Sequence, residues 1–269
     1  MKAVSVMYHD VVAGGRFDES GFAGADAALY KLGREEFARH LDALSAARAD
    51  APALVTDLAP EAPSGPNAGG RMPWLLTFDD GGVSAATVVA DMLEARGWRG
   101  HFFVTTGRVG QTAFLSREQV RELRERGHVV GSHSETHPAR MSHCAEDELL
   151  GEWRRSLGFL SEVLGEEVRV ASVPGGYYSR AVASAAAREG VTRLFTSEPT
   201  ERVNEVDGCL VFGRYGVQRW TGPAAVAGIV AGEILPRRRQ QLAWTLKKLT
   251  KRVGGEYYLR ARRALINRG

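Results

Sequence analysis

Residues 74–82 read WLLTFDDGG, an apolar run that ends in two carboxylates and two glycines. The run has the length of a buried β-strand, and aspartate and glycine favour turns. In α/β folds, ligands and catalytic groups gather at the carboxyl ends of the strands. The segment therefore predicts a buried strand with a candidate site, Asp79 and Asp80, at its end. A strand-ending turn without any chemistry would produce the same pattern.

Similar apolar runs alternate with helical patterns on both sides of this segment. The predicted strands cover 3–8, 74–78, 100–105, 128–132, 168–172, 192–196 and, with a weaker pattern, 209–212. The predicted helices cover 35–48, 84–96, 116–126, 146–164 and 180–189. Repeated strand–helix units predict a parallel sheet with right-handed crossovers. About seven such strands closing on themselves would give a distorted or incomplete (β/α) barrel of the TIM type. An open doubly wound sheet has the same local pattern.

The bulk composition is that of an ordinary soluble globular protein, with 44% hydrophobic and 25% charged residues in 269. The two cysteines, Cys144 and Cys209, provide neither a disulfide framework nor a paired zinc spacing. The amino terminus has no apolar signal segment, and no run approaches the roughly 18 apolar residues that span a bilayer. We therefore expect a cytoplasmic protein, with membrane association through its carboxyl-terminal tail as an alternative.

Charge divides the chain into two parts. Residues 236–269 hold eleven Lys/Arg and one acid, a net of +10, so residues 1–235 carry −7 of the total of +3. We expect a barrel domain over 1–235 and a basic amphipathic helical tail over 236–269. The tail either packs an apolar stripe on the barrel or lies on an anionic membrane. Nucleic acid is not an expected partner, because no recognised motif accompanies the basic residues.

A second polar cluster follows the predicted strand 128–132. Residues 127–138 read GHVVGSHSETHP, with His133 and His137 four positions apart. Pro138 disfavours a helix at His137, so these histidines belong to a strand-end loop. A single histidine there is more often structural, but two of them opposite an aspartate pair predict a metal site.

One aspartate and two histidines would form a three-ligand site that leaves coordination positions for water and substrate, as catalytic metal sites require. Mixed nitrogen and oxygen ligands suit several divalent metals. We expect Zn²⁺, because hydrolysis needs no redox chemistry, with Co²⁺, Fe²⁺, Mn²⁺ and Ni²⁺ as alternatives.

Residues 77–81 and 133–138 resemble the first two motifs of the polysaccharide deacetylase family, which includes chitooligosaccharide and peptidoglycan deacetylases. The strand-like segment 100–104 stands between them as in the family, and the resemblance covers roughly residues 1–215. It implies a distorted (β/α) barrel that hydrolyses the N-acetyl group of an amino sugar in a glycan or glycan precursor. Asp80, His133 and His137 would hold the metal, and Asp79 would be the general base for the metal-bound water.

The third family motif, Arg-x-Pro-x-Gly, is altered in this chain. Ser172 stands where the arginine that orients the catalytic aspartate is expected. Arg169 and Arg214 are candidates to replace it. The resemblance makes the following turn a wall of the sugar groove, and a plain strand-to-helix loop is an equal interpretation. The predicted substrate-binding residues are Pro174, Gly175, Gly176 and Tyr177.

The family's fifth motif, Leu-x-His, which supplies the acid for the leaving amine, is absent, since no histidine follows His143. His9, at the end of the first predicted strand, is the proposed substitute. A structural histidine paired to Asp10 is the competing interpretation. Glu198 is a weaker candidate for the acid. His40 and His101 are interpreted as bystanders. His143 follows the metal loop closely enough to reach the site, but a structural role is favoured for it.

The leading functional hypothesis is thus a metal-dependent N-deacetylase. A catalytically impaired carbohydrate-binding relative and an amidase acting on a small non-sugar amide remain open. A phosphotransferase with an aspartyl nucleophile is disfavoured, because such enzymes place a second aspartate at the position that Gly81 occupies.

Overall fold

The computed structural model describes residues 1–58 and 71–246. Its main element is a nine-stranded sheet in which the neighbouring strands are parallel except for one antiparallel pair, β9 with β10. The strands are β1 (Val4–Tyr8), β2 (Val11–Val12), β3 (Leu32–Gly33), β4 (Trp74–Phe78), β5 (His101–Val104), β6 (Val129–Ser132), β7 (Val170–Ser172), β8 (Arg193–Phe195), β9 (Asn204–Val206), β10 (Cys209–Phe212) and β11 (Tyr215–Gly216). Strands β2 and β3 form a separate small sheet.

The sheet closes into a barrel through a strand that is split in two. In the order β11-β1-β4-β5-β6-β7-β8-β10-β9, β10 pairs with β8 and β11 pairs with β1. Only Gly213 and Arg214 separate β10 from β11, so one short segment leads from the β8 side of the sheet to β1 on its other side. This confirms the distorted barrel and excludes the open doubly wound sheet.

The predicted helices form with small changes at their ends. The α-helices are α1 (Ala25–Ala28), α2 (Arg34–Ala47), α3 (Ala90–Glu94), α4 (Arg117–Glu125), α5 (Glu146–Leu164), α6 (Arg180–Arg188) and α7 (Pro223–Ala231). Ser116 and Gln119 form the capping box that their spacing favours. Helix α3 follows a π-helical turn, Ala85–Val89, so the single helix predicted over 84–96 is divided. Helix α7 has no counterpart among the predicted elements.

Side chains of the strands alternate between the barrel interior and the surrounding helices. Leu75, Phe103, Phe195 and Phe212 belong to a compact inner cluster, whereas Trp74 and other outward residues pack with the helices. This alternation matters at β4, because residues 75, 77 and 79 then point to one side. The inward row therefore brings Thr77 and Asp79 to the carboxyl end of the barrel interior.

The carboxyl-terminal tail is described only in part. A helix occupies 234–246, which crosses the predicted boundary between residues 235 and 236. The remainder of the predicted tail, 247–269, lies outside the described residues. Within the described chain, none of the helices is long and apolar enough to cross a bilayer.

Candidate metal and catalytic site

The two aspartates leave β4 in different directions. Asp79 continues the strand pairing, since its backbone N–H donates to Tyr8 O over 3.0 Å. Asp80 has a φ of +78°, a left-handed conformation that is unusual for a residue with a side chain. Gly81 follows with a φ of +78°, and a Cβ added there would lie only 3.1 Å from the Cα atom of Val104. The sharp turn thus separates the two carboxylates and aims each at a different partner.

His133 and His137 lie on a tight loop after β6 that is held from below by Glu152 of α5. Ser134 and His137 both have positive φ, 63° and 61°. The Glu152 carboxylate, which is buried, accepts hydrogen bonds from the backbone N–H groups of Glu135 and Thr136 and from the Thr136 hydroxyl. Backbone strain of this kind persists only where surrounding contacts determine it, and Glu152 supplies three of them.

Asp80, His133 and His137 converge as predicted. Their ligand atoms lie within 4.8 Å of one another, with the Asp80 Oδ1 atom 3.5 Å from His133 Nε2 and 3.6 Å from His137 Nε2. The Nδ1 atom of His133 contacts the Ser172 hydroxyl at 2.5 Å, which orients its Nε2 toward the cluster, as outer partners of metal ligands do. The donor set therefore fits a divalent cation.

The protonation states of His137 and Asp80 also fit a metal site. Burial, followed by the neighbouring charge of His133, lowers the pKa of His137 to about 4. Burial by itself would raise the pKa of Asp80, but the hydrogen bond with His133 and the charges of His9 and His137 hold it well below its usual range. The histidine is neutral and the aspartate ionised near pH 7, which are the forms that bind metals.

Asp79 is held by Arg214, which answers the question left by the altered third motif. The guanidinium donates from Nη1 to Asp79 Oδ1 at 2.6 Å and from Nη2 to Asp79 Oδ2 at 2.7 Å. Its Nε donates to Thr196 O, and the ring faces of Phe103 and Phe195 lie 5.6 and 5.9 Å from its centre. Arg214 is fully buried, so this pair is shielded from water.

The alternative candidate for that role, Arg169, is wrong. It precedes β7 at the opposite end of the barrel, is exposed, and pairs with Glu167. Ser172 occupies the motif position itself and donates to Asp79 Oδ1 over 3.3 Å. Ser172 therefore links Asp79 to His133 by hydrogen bonds. The positive charge beside Asp79 comes from Arg214, which lies between β10 and β11.

Comparison with known proteins agrees with this arrangement. Residues 67–194 match the family model described as polysaccharide deacetylase. This segment, a little under half of the chain, contains Asp79, Asp80, His133 and His137 and is similar to polysaccharide deacetylases. No curated protein sequence matches it significantly.

Solved structures of polysaccharide deacetylases and related proteins share the fold. IcaB from Ammonifex degensii is 24% identical with a TM-score of 0.65, over 85% of this chain and 97% of its own. The Streptococcus pyogenes deacetylase PplD, solved with acetate, is 20% identical with a TM-score of 0.60, over 83% and 95%. A polysaccharide deacetylase from Bacillus cereus is 17% identical with a TM-score of 0.68, over 86% and 69%. At these identities the likeness establishes the fold.

His9 lies on the same face of the barrel as the metal-ligand cluster. Tyr8 is paired in register with Phe78, so the next residues of the two strands, His9 and Asp79, are level with each other. The His9 Nδ1 atom is buried without a hydrogen-bond partner among the described residues, and its ring lies 4.9 Å from that of Tyr30. Asp10, its predicted structural partner, instead accepts from Ser20 and Ser84. These contacts disfavour the structural interpretation of His9.

The predicted substrate-binding turn follows β7 at the same face. Pro174, Gly175 and Gly176 form a 3₁₀ turn, and both glycines have positive φ. A side chain at Gly176 would meet the Ser197 hydroxyl at 2.7 Å, so this position requires glycine for packing. Tyr177 follows, with its ring 6.1 Å from that of His143. The role of the turn in binding a sugar stays a prediction.

The remaining candidates take structural or peripheral positions. His101 is buried, with Nδ1 against Leu76 O and Nε2 accepting from Val55 N–H, and His40 contacts the Tyr8 hydroxyl. Both are bystanders, as expected. Glu198 follows β8, and its backbone carbonyl accepts from Arg214 N–H.

Two residues that contribute to the site, Glu152 and Phe22, were not predicted from the sequence. Glu152 has a detectable signal, because it is a carboxylate on the face of α5 that also buries Leu149, Trp153 and Ser156. Phe22 lies on the loop after β2, with its ring 4.8 Å from that of His137. Nothing in the spacing of Phe22 indicates this contact, since it depends on how the loop folds over the barrel.

Replacing Glu152 with leucine is expected to weaken metal binding about 10–100-fold, because the loop that orients His133 and His137 loses its three hydrogen bonds. Glu152→Gln keeps one acceptor oxygen and should retain most of the affinity. Isothermal titration calorimetry with Co²⁺ measures the metal affinity of each variant. Glu162→Leu, at an exposed position of the same helix, is the matched control. Equal affinities for Glu152→Leu and Glu162→Leu would contradict this role.

Proposed function

We propose that the protein is a metal-dependent hydrolase that removes N-acetyl groups from an amino-sugar-containing glycan or glycan precursor. The observation that carries the proposal is the placement of Asp79, ionised and clamped by Arg214, beside the cluster of Asp80, His133 and His137. The match of residues 67–194 to the polysaccharide deacetylase model supports deacetylation as the reaction class. Zn²⁺ is the proposed metal, because amide hydrolysis needs Lewis acidity and no redox change.

Asp80, His133 and His137 would hold the cation, and a cation bound there supplies the Lewis acidity that polarises an amide carbonyl. Asp79 accepts the proton of the attacking water. The two hydrogen bonds from Arg214 fix the orientation of Asp79 and leave the carboxylate ionised. A base positioned in this way contributes about 10²–10⁴-fold to the rate of a proton-transfer step.

His9 is the proposed acid that protonates the leaving amine. It lies level with Asp79 on the neighbouring strand, and its unpartnered Nδ1 atom is available to face the site. One carboxylate and one imidazole on adjacent strands then divide the proton transfers between them, since Asp79 removes a proton from water and His9 delivers one to nitrogen. The turn of Pro174, Gly175, Gly176 and Tyr177 is proposed to form part of the sugar-binding wall.

Acetate release tests the proposal directly. The protein would be stripped with a chelator, reloaded with Zn²⁺ or Co²⁺, and offered N-acetylglucosamine oligomers, sugar nucleotides and small N-acetyl amides. We expect acetate from at least one sugar substrate only after reloading. Release from the small amides alone would identify an amidase, and tight metal binding without any release would identify a carbohydrate-binding relative. Either result would overturn the proposed function.

The His9→Gln variant is expected to lose about 10²-fold in deacetylation of an N-acetyl sugar, because the amine leaves poorly without a proton. The same variant should hydrolyse p-nitrophenyl acetate at a nearly unchanged rate, because p-nitrophenolate needs no protonation. The ratio of the two rates is the measurement. His143→Gln, at an exposed position, serves as the control. A parallel loss on both substrates would show that His9 is not the acid.

A further inference from the structure

Helix 234–246 contacts the barrel with its polar side chains. Arg237 donates from Nε to Ile229 O over 2.8 Å and pairs with Glu201. Gln240 donates from Nε2 to Gly216 O over 3.0 Å. At about 100° per residue these two positions lie on one face of the helix. The face that meets the protein is therefore held by hydrogen bonds and an ion pair.

The opposite face exposes the apolar residues. Leu235 and Leu242, two turns apart and on one stripe, are 69% and 71% exposed, and the neighbouring Ile234 is 67% exposed. In the part of the chain that the structure describes, every exposed large hydrophobic side chain lies between Trp220 and Leu246. A surface helix normally buries its apolar stripe and solvates its polar face. In this helix the stripe of Leu235 and Leu242 is exposed instead, which marks it as a contact surface.

Basic side chains border the stripe. On the helical wheel Arg238 and Arg239 fall on either side of Leu235 and Leu242, at about 40–60° from them, and both arginines are exposed. The chain from 236 onward carries a net +10 while the preceding part carries −7. A second copy of the protein would bring two strongly positive tails together, which opposes association through this face. An anionic lipid surface can bind both groups, because its acyl chains accept the leucines and its phosphates attract the arginines.

We propose that helix 234–246 docks the protein on an anionic lipid bilayer. The leucine stripe enters the interface between headgroups and acyl chains, while Arg238 and Arg239 reach the phosphates. Gln240 ties the helix to Gly216, which is paired with Met7 near the carboxyl end of β1. This inference does not depend on the proposed deacetylase activity.

Vesicle sedimentation with the full chain tests the inference. We expect binding to vesicles of equal parts phosphatidylglycerol and phosphatidylcholine, weakening as salt is raised. Binding to phosphatidylcholine alone should be at least tenfold weaker. The Leu235→Gln/Leu242→Gln variant should lose at least about tenfold in affinity for the anionic vesicles. The Arg238→Gln/Arg239→Gln variant should lose a similar factor at low salt.

Arg154→Gln, an exposed arginine of α5, is the control for charge, and circular dichroism checks that all variants remain folded. The inference is wrong if the wild-type chain stays in the supernatant with anionic vesicles. It is also wrong if the double leucine variant sediments like the wild type. A wild-type dimer in light scattering that becomes a monomer in the leucine variant would instead assign the stripe to a contact between copies, and would overturn the membrane assignment.

Discussion

The Arg214→Met variant is expected to lose about 3–5 kcal/mol of folding free energy, because it leaves the buried Asp79 carboxylate without its partner. Both groups are almost completely inaccessible to water, so solvent cannot replace the two lost hydrogen bonds. Methionine fills a similar volume, which limits the contribution of a cavity. Denaturant unfolding of the variant and the wild type measures the loss.

The same variant should also change the pH dependence of catalysis. Burial alone would raise the pKa of Asp79, and the charge of Arg214, ahead of that of His133, reverses this and holds the pKa below its usual value. A base must be ionised to act, so we expect protonation of Asp79 not to limit the wild type at or near neutral pH. Without Arg214 the pKa of Asp79 rises, and the acidic limb of kcat/KM should move to higher pH.

Arg169→Met is the matched control, because it removes an arginine that was equally plausible from the sequence but lies at the other end of the barrel and is exposed. We expect its stability to change by less than about 1 kcal/mol, as for surface ion pairs, and its pH profile to match the wild type. Similar losses in Arg169→Met and Arg214→Met would refute the assignment of Arg214 as the partner of Asp79.

The Asp79→Asn variant is expected to lower the rate of acetate release by about 10²–10⁴-fold, because asparagine cannot accept the proton of the attacking water. Its metal content should stay near that of the wild type, because Asp80, His133 and His137 are unchanged. Asp80→Asn should show the opposite pattern, with metal binding weakened first and activity lost as a consequence. Acetate release and metal analysis of the two variants separate these roles.

A fully active Asp79→Asn variant would require a different base. Loss of metal from Asp79→Asn, with restored activity at high metal concentration, would move Asp79 into the ligand set. Since the two aspartates are adjacent in sequence, only this paired comparison distinguishes their functions. Arg214→Met provides a third reference, because it perturbs Asp79 through its orientation and charge and leaves the carboxylate present.

The strands and most helices were predictable because their signals are local. Helix α5 begins and ends where its apolar period does, at Glu146 and Leu164, and the Ser116 capping box needs only residues three apart. The same holds for the metal-ligand cluster. Two strand-end motifs in a parallel sheet must meet at one edge, which placed the aspartate pair, His133 and His137 at a common site. The family resemblance then selected Asp80 as the ligand.

Contacts between distant parts of the chain were harder to predict from the sequence. Arg214 lies 135 residues from Asp79. The sequence offered Arg169 and Arg214 as equal candidates for the partner of Asp79. The splitting of the last barrel strand at Gly213 and Arg214 depends on pairing with both β8 and β1, which a single-strand pattern does not reveal. The support from Glu152 likewise requires α5 to pack under the loop of His133.

Strand periodicity and strand-end motifs are short-range properties, so the sequence by itself indicated a parallel α/β fold and the face that carries the chemistry. The resemblance to polysaccharide deacetylases indicated the barrel and the metal ligands. Only the tertiary structure decided that Arg214 holds Asp79 and that His9 stands level with it. It also decided the orientation of helix 234–246, since periodicity defines an apolar stripe but not which way it faces. The helix turns its polar face to the barrel because the barrel offers hydrogen-bond acceptors and a carboxylate there. These groups are the carbonyls of Ile229 and Gly216 and the side chain of Glu201.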